Sequence, residues 1–290
     1  MKTQRAAVIG HPIRHTMSPF IHQKLFQLSG IPMEYQVLDI ENLSEEIRQL
    51  KKLDVFNVTI PYKEKIIPYL DELDDKAKLF GSVNTVQVKD GKMKGYITDG
   101  TGCLQAIESA GVNLNQRILI LGNGGTARAV AFEIAYNYSD FDITLAHRNG
   151  SAEKAKKIAD EIFSFTKNQE RNGGTITCLS YKELPENGEY EVLINATNVG
   201  MYPNTEDSPV DSSVLRNCRA VFDAVFNPEE TLLLKTAKQM GIPIIKGIGM
   251  LVRQAAAAHA CWYQTTFTKR DIEQLCEDAT KEMNRIFYHK

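Results

Sequence analysis

At 290 residues, with 43% hydrophobic and 24% charged side chains, the chain is long enough for two ordinary domains with a large buried core. A formal net charge of -2 excludes any global attraction to nucleic acid or an anionic membrane, and no apolar run approaches the roughly 20 residues that a membrane span needs. The opening MKTQRAAVIG lacks the apolar stretch of a signal peptide, and the scattered cysteines (Cys103, Cys178, Cys218, Cys261 and Cys276) form no CxxC pair; together these predict a cytoplasmic protein with reduced thiols and no metal.

Short apolar runs alternate with helical patterns along the chain, which predicts α/β folding on largely parallel sheets. Ala6 to Ile9 reads as a first strand ended by Gly10. Ser18 and Pro19 then open a helix, Ser18 as the capping residue and Pro19 at the first helical position, and Gly30 closes it. Tyr35 to Leu38 is a second strand, Ser44 to Lys52 a helix, and Val55 to Ile60 a third strand, with Pro61 starting another helix. Val83 to Lys89 and Lys92 to Thr98 flank Asp90-Gly91, a strong signal for a tight hairpin. Asp99 to Gly102 leads into a helix over Cys103 to Ser109, read as a bridge between domains.

Arg117 to Leu121 is a strongly apolar strand that runs into Gly122-Asn123-Gly124-Gly125-Thr126-Ala127 and then an alanine-rich helix. Strand, glycine turn and helix stand in the order that dinucleotide binding requires. The first glycine permits the turn, the second lets a pyrophosphate approach the backbone, and Ala127 allows close helix–strand packing. Further buried strands are predicted at Ile143 to Ala146, Val192 to Ala196, Ala220 to Ala224 and Ile244 to Ile245. Phe163 to Gly174 reads as a surface loop, and the chain from Met250 onward as helical.

The second strand of this half ends at His147-Arg148-Asn149, where an NAD site would place an acid for the ribose hydroxyl. Arg148 suits a 2′-phosphate instead, which favours NADP over the alternative of an exposed loop arginine. In the first half, Lys63 at the expected start of a helix opposes the helix dipole, a placement suited to acid–base work or simply to a solvated lysine. Asp99 is either a helix cap or the partner of Lys63. Thr16 and Ser18 at a helix N-terminus form a natural carboxylate cradle. Asn57, Thr59 and Asn84 place polar groups at the edges of apolar segments. His15, His22 and His147 have no metal-site spacing and read as structural or surface residues.

Taken together, these motifs resemble the shikimate dehydrogenase family over nearly the whole chain. Gly10-His11-Pro12-Ile13-Arg14-His15-Thr16-Met17-Ser18-Pro19 looks like that family's substrate-carboxylate motif. Asn57 to Lys63 resembles its catalytic-lysine motif, while Gly81 to Thr85 and Thr98-Asp99-Gly100 resemble the segments with its substrate-binding Asn and catalytic Asp. Gly122 to Ala129, with Arg128, is similar to its nucleotide loop. Ile194 to Thr197 with Gly200-Met201 is similar to the stretch near the nicotinamide ribose, and Gly247 to Gln254 to its last motif.

The resemblance implies an N-terminal open α/β substrate domain over residues 1–101, completed by C-terminal helices over 248–290. A Rossmann dinucleotide-binding domain would cover 102–247, with the active site in the interdomain cleft. It implies an oxidoreductase acting on a CH–OH group, the reversible NADP-dependent reduction of 3-dehydroshikimate to shikimate in aromatic amino-acid (chorismate) biosynthesis. Lys63 and Asp99 would be catalytic, with Thr16, Ser18, Asn57, Thr59, Asn84 and Gln254 joining them on the substrate. Residues 122–127 (Gly122, Asn123, Gly124, Gly125, Thr126 and Ala127), Arg148, Asn149, Lys154, Thr197, Gly247 and Met250 would hold the cofactor.

Some positions depart from the family's pattern. Thr16 replaces its serine, Ile97 its asparagine and Phe226 its substrate-contacting tyrosine, and Lys154 is displaced from the usual second basic position. These changes leave open a quinate/shikimate dehydrogenase with relaxed NAD or NADP use. A nucleotide sensor without turnover would have no need of both Lys63 and Asp99. Monomer and homodimer both remain open.

Overall fold

The computed structural model describes residues 2–13, 16–169, 173–184 and 188–288. Arg14 and His15 of the first motif lie outside them. The chain divides into two compact units, Met1–Thr98 with Val252–Lys290, and Asp99–Leu251.

The first unit holds β1 (Gln4–Gly10), α1 (Ser18–Ser29), β2 (Met33–Asp39), α2 (Leu43–Leu50), β3 (Val55–Val58), β4 (Glu72–Leu73), α3 (Asp75–Phe80), β5 (Thr85–Lys89) and β6 (Lys92–Tyr96). Its sheet runs β2-β1-β3-β5-β6-β4. The first three strands are parallel, and β3, β5 and β6 pair antiparallel. Asp90 and Gly91 both take positive φ, 52° and 74°, as the tight hairpin between β5 and β6 requires.

The second unit holds α4 (Asp99–Ser109), β7 (Arg117–Leu121), α5 (Gly125–Asn137), β8 (Asp142–His147), α6 (Ala152–Asn168), β9 (Thr175–Ser180), β10 (Tyr190–Asn195), α7 (Ser212–Leu215), β11 (Cys218–Asp223), α8 (Leu232–Gln239) and β12 (Ile244–Ile245). Its sheet is parallel throughout in the order β12-β11-β10-β7-β8-β9. Counted from β7, that order is the Rossmann arrangement, and it places the end of β7 at the point where strand order reverses. Its β7 and β10 strands are buried almost end to end, which explains their near-continuous apolar sequences. α9 (Gly247–Tyr263) contains the boundary between the units, and α10 (Lys269–Tyr288) ends the described chain.

In the first unit α9 supplies core as well as helix. Trp262 and Ala258 pack with Ala6, Phe26 and Val55, and the Trp262 indole N–H donates to the Val86 carbonyl at 3.0 Å. Burying a side chain such as Phe26 contributes on the order of 2–3 kcal/mol.

Several sequence expectations need correction. No helix starts at Pro61: β3 stops at Val58, and residues 60–66 form turns followed by a single 3-10 turn over Ile67–Tyr69. Pro68 has no N–H to continue a helix, and Tyr62 is drawn inward instead, its hydroxyl bonded to the Ile40 and Glu41 carbonyls. Ser18 is the first helical residue of α1 with Met17 before it, and no side chain caps that end among the described residues. The helix expected from Cys103 begins at Asp99 and lies wholly in the second unit. The expected loop from Phe163 is helical through Asn168, because Ala155, Ile158, Ala159, Ile162 and Thr166 recur on one face and are buried there. From Thr175 the chain is strand β9, which the sequence reading missed.

Candidate active site

In the first unit three of the expected substrate residues, Asn57, Asn84 and Gln254, share one polar network. Asn57, in the middle of buried β3, accepts from the Tyr35 hydroxyl at 2.7 Å through its Oδ1. Its Nδ2 faces the Asn84 carbonyl at 3.4 Å and Thr85 Oγ1 at 3.5 Å. Asn84, also buried, leads into β5. Its Nδ2 donates to Thr98 Oγ1 at 3.0 Å and to Gln254 Oε1 at 3.3 Å, and its Oδ1 accepts from the Thr98 amide at 2.9 Å. A residue of α9, 170 positions away, thus joins the hairpin.

At the start of α1 the Thr16 hydroxyl donates to Ser18 Oγ at 3.1 Å and accepts from the Ser18 amide at 3.2 Å. Both side chains are half-buried. Burial pushes the Tyr35 phenol well above its ordinary pKa, while the Ser18 hydroxyl pulls the other way. Tyr35, Asn57, Asn84 and Gln254 therefore form one continuous chain of hydrogen bonds, and Thr16 and Ser18 form a second pair.

Thr59 and Lys63 sit on the turns after β3. The Thr59 amide bonds to the Ile9 carbonyl at 2.9 Å, tying the turn to the end of β1. The Lys63 carbonyl accepts from the Val83 amide at 2.8 Å, so the backbone under this half-buried lysine is fastened to the segment before β5. The helix-dipole argument for Lys63 lapses, since no helix starts there. Its place at the carboxyl end of a parallel strand, where open α/β sheets build sites, remains. Asp99 is half-buried as the first residue of α4, an acid at the helix end that favours one.

In the second unit Gly122 ends β7 at φ 104° and Gly124 precedes α5. A Cβ on Gly122 would stand 2.9 Å from Thr197 Cγ2, so the turn and Thr197 are immediate neighbours. Among the described residues, no heavy atom beyond the adjoining backbone lies within 4 Å of a Cβ built on Gly124 or Gly125. No described side chain caps the N-terminus of α5, and its first turn carries no acid. An open backbone cradle at a helix N-terminus fits a pyrophosphate.

Asn123 donates to the Ser151 carbonyl at 2.8 Å, holding the glycine turn against the segment after β8. Arg148 and Asn149 are exposed on that segment, and Lys154 is exposed in the first turn of α6. Arg128 instead pairs with Glu161 and lies 4.5 Å over the Phe132 ring, which fastens α5 to α6.

Thr197 is oriented by a buried network that sequence reasoning missed. Its hydroxyl donates to Asn195 Oδ1 at 2.7 Å, Asn195 Nδ2 donates to Asp223 Oδ1 at 2.9 Å, and the Thr231 hydroxyl donates to Asp223 Oδ2 at 2.6 Å. Burial raises the Asp223 carboxyl to about 6. The only sequence signal was an acid ending an apolar strand. Gly247, starting α9, is required by close approach: a Cβ there would lie 2.6–2.7 Å from the carbonyl oxygens of Asp223, Ala224 and Val225. Met250 is half-buried in the first turn of that helix. Tyr35 was likewise missed, since nothing around it in sequence marks a strand residue as polar hub. Of the histidines, His22 is buried, while His147 ends β8 with its ring against the Arg148 carbonyl.

A family model for the shikimate dehydrogenase substrate binding domain matches residues 8–86. The shikimate dehydrogenase (NADP(+)) of Methanocaldococcus jannaschii is 41% identical over 267 residues, covering 90% of this chain and 92% of its own. A solved shikimate dehydrogenase in complex with NADP+ superposes with a TM-score of 0.83 at 37% identity, over 95% of both chains. The Thermus thermophilus enzyme, solved in complex with NADP(H) and shikimate, gives 0.81 at 28% identity, over 95% of this chain and 99% of its own.

Proposed function

The chain belongs to the shikimate dehydrogenase family, and on that premise we propose that it catalyses the reversible, NADP-dependent reduction of 3-dehydroshikimate to shikimate in aromatic amino-acid biosynthesis. The observation that carries the reading is the hydrogen-bonded cluster of the first unit, in which Tyr35, Asn57, Asn84 and Gln254 are joined. Thr16 and Ser18 hold the substrate carboxylate with hydroxyl donors at the start of α1. Asn57, Thr59, Asn84 and Gln254 hold the ring hydroxyls.

The nucleotide, when bound, supplies the hydride that adds to the ring carbonyl carbon. Lys63 donates the proton that completes the new alcohol at the carbonyl oxygen, and Asp99 orients the ammonium and accepts from a substrate hydroxyl. The open backbone at Gly124 and Gly125 would receive the pyrophosphate, and Thr197 and Met250 would hold the nicotinamide end. Arg148, exposed after a strand that ends without an acid, clamps the 2′-phosphate with Asn149 and Lys154. The substrate domain extends over residues 1–101 and 248–290, and the enzyme works in the cytoplasm, where its free cysteines stay reduced.

A second reading is favoured by Phe226. Half-buried just after β11, it brings no hydroxyl to a ligand, so quinate serves as an additional substrate. Initial oxidation rates for shikimate and quinate, each with NADP and NAD, test both readings. Preference for shikimate with NADP supports the first; faster quinate oxidation with NAD replaces it by the second, and no oxidation of either acid refutes both.

A further inference from the structure

Asp223 ends β11, and its carboxylate is completely buried. Ala146, Leu121, Asn195 and Asp223 lie abreast near the carboxyl ends of β8, β7, β10 and β11. Arg148 follows Ala146 on one side of the glycine turn, and Thr197 follows Asn195 on the other. A dinucleotide whose pyrophosphate meets the N-terminus of α5 spreads its two nucleosides to either side of β7. With the 2′-phosphate at Arg148, the nicotinamide half falls on the side of Thr197.

The hydrogen bonds between these residues fix a direction for each polar group. Asp223 Oδ1 accepts from Asn195 Nδ2 and from the Val225 amide, both at 2.9 Å, and Oδ2 accepts from the Thr231 hydroxyl at 2.6 Å. A carboxylate only accepts, so Asn195 must turn its NH2 toward Asp223 and its Oδ1 toward Thr197. That oxygen takes the Thr197 amide at 3.0 Å and the Thr197 hydroxyl at 2.7 Å. Thr197 has then spent its one hydroxyl proton, and its Oγ1 also accepts from the Val199 amide at 3.2 Å. A lone pair is what its hydroxyl has left for a ligand. Burial raises the Asp223 carboxyl to about 6, still ionised at neutral pH. Burying a charge with no cation paired to it among the described residues is costly, and an amide of the same shape would fill the space. The carboxylate adds direction, since a second amide could pair with Asn195 either way round.

We propose that Asp223 is a positioning residue of the nucleotide site, which through Asn195 holds Thr197 as a hydrogen-bond acceptor for an N–H or O–H on the nicotinamide half of the cofactor. The proposal rests on the NADP reading of the second unit. Without the carboxylate, the Asn195 amide is free to turn over. Thr197 Oγ1 then accepts from the protein and turns its proton outward, donor against donor.

The test uses the full chain and equilibrium binding, read from the fluorescence of NADPH. Asp223→Asn should raise the Kd for NADPH about tenfold, the worth of one good hydrogen bond, and Thr197→Val should do the same. In the double variant the effects should not add, leaving Kd about tenfold and not about a hundredfold above the unmodified value. Thr197→Ser keeps the hydroxyl and should stay within about threefold. Adenosine 2′,5′-bisphosphate, which lacks the nicotinamide half, should displace NADPH from every variant with its own Kd changed less than about twofold. The acetylpyridine analogue of NADPH keeps the ribose hydroxyls and lacks the carboxamide N–H. An undiminished Asp223→Asn effect on it supports the proposal with a ribose hydroxyl as donor, and a vanished effect supports it with the carboxamide. A merely structural role weakens the bisphosphate along with NADPH or adds fully to Thr197→Val, and either result overturns the proposal, as does an unchanged Kd in Asp223→Asn. Should that variant fail to fold, Thr231→Val, which frees one carboxylate oxygen, should weaken NADPH about threefold beside Thr197 and not at all in Thr197→Val; an equal effect in both overturns the proposal. Absence of NADPH binding by the unmodified protein overturns the cofactor reading and this inference with it, whereas binding indifferent to Asp223 overturns the inference only.

Discussion

Acid should weaken the first unit through a pair of histidines remote in sequence. His22 of α1 and His259 of α9 are both fully buried, with His22 Nδ1 3.2 Å from His259 Nε2. Their outer nitrogens, His22 Nε2 and His259 Nδ1, find no hydrogen-bond partner among the described residues. Burial lowers His259 to about 3, and burial together with its neighbour lowers His22 well below 6.5. The unfolded chain takes up a proton below about pH 6.5 while folded His259 does not until about pH 3, so stability is lost as pH falls through that window. The loss from His259 is about 1.4 kcal/mol per pH unit, or about 2.7 kcal/mol two units down, and His22 adds in the same direction.

Trp262, the only tryptophan of the chain, sits 5.4 Å from the His22 ring and 5.5 Å from the His259 ring. Its fluorescence during urea unfolding therefore reports this unit. The second unit has an opposite contribution, since the raised carboxyl of Asp223 is protonated first in the folded state and gains stability between about 6 and 3.8. Comparison with His22→Phe/His259→Phe isolates the pair. Replacing both partners by rings of similar shape leaves no orphaned nitrogen, and the acid-side slope should shrink by at least about 1.4 kcal/mol per pH unit. If the unmodified and doubly substituted proteins lose stability in parallel from pH 6.5 downward, burial of neutral imidazoles is not what limits acid stability here.

Other substitutions probe the site directly. Lys63→Ala should lower kcat for shikimate oxidation about 10²–10⁴-fold, while Trp262 fluorescence stays native; unchanged turnover would remove Lys63 from the chemistry. Arg148→Ala should raise KM for NADP about tenfold or more and leave that for NAD nearly unchanged, because only the 2′-phosphate loses a charge-assisted contact. Equal changes with both cofactors would mean that Arg148 acts elsewhere. Gly247→Ala should cost about 2 kcal/mol or more in thermal unfolding, since its Cβ meets backbone oxygens at 2.6–2.7 Å that cannot turn aside as side chains can. A melting temperature within about a degree of the unmodified protein would show that the helix start yields.

The features legible in the sequence are those whose causes lie within a few residues of each other. The turn from β7 into α5 was readable because glycine there serves a local backbone need, and the Asp90-Gly91 hairpin because both residues take positive φ. The largely parallel α/β character followed from apolar strands alternating with helices, while the strand order did not. Local signals misled where a packed neighbour outweighed them. Pro61 promised a helix, but Tyr62 turned inward to the carbonyls after β2. The polar stretch after Phe163 hid a helix whose buried face carries Thr166 as well as the apolar residues.

Only the tertiary structure decided which polar groups meet. Tyr35 reaches Asn57 from 22 residues away, Asn84 reaches Gln254 across 170, and His22 finds His259 across 237. Sequence could propose Asn57 and Asn84 singly from their type and place, and Gln254 only through the family resemblance. It could not orient their amides or reveal Tyr35 beside Asn57. A hydrogen bond is set by distance and angle in space, and those are fixed only when strands and helices far apart in the chain pack together.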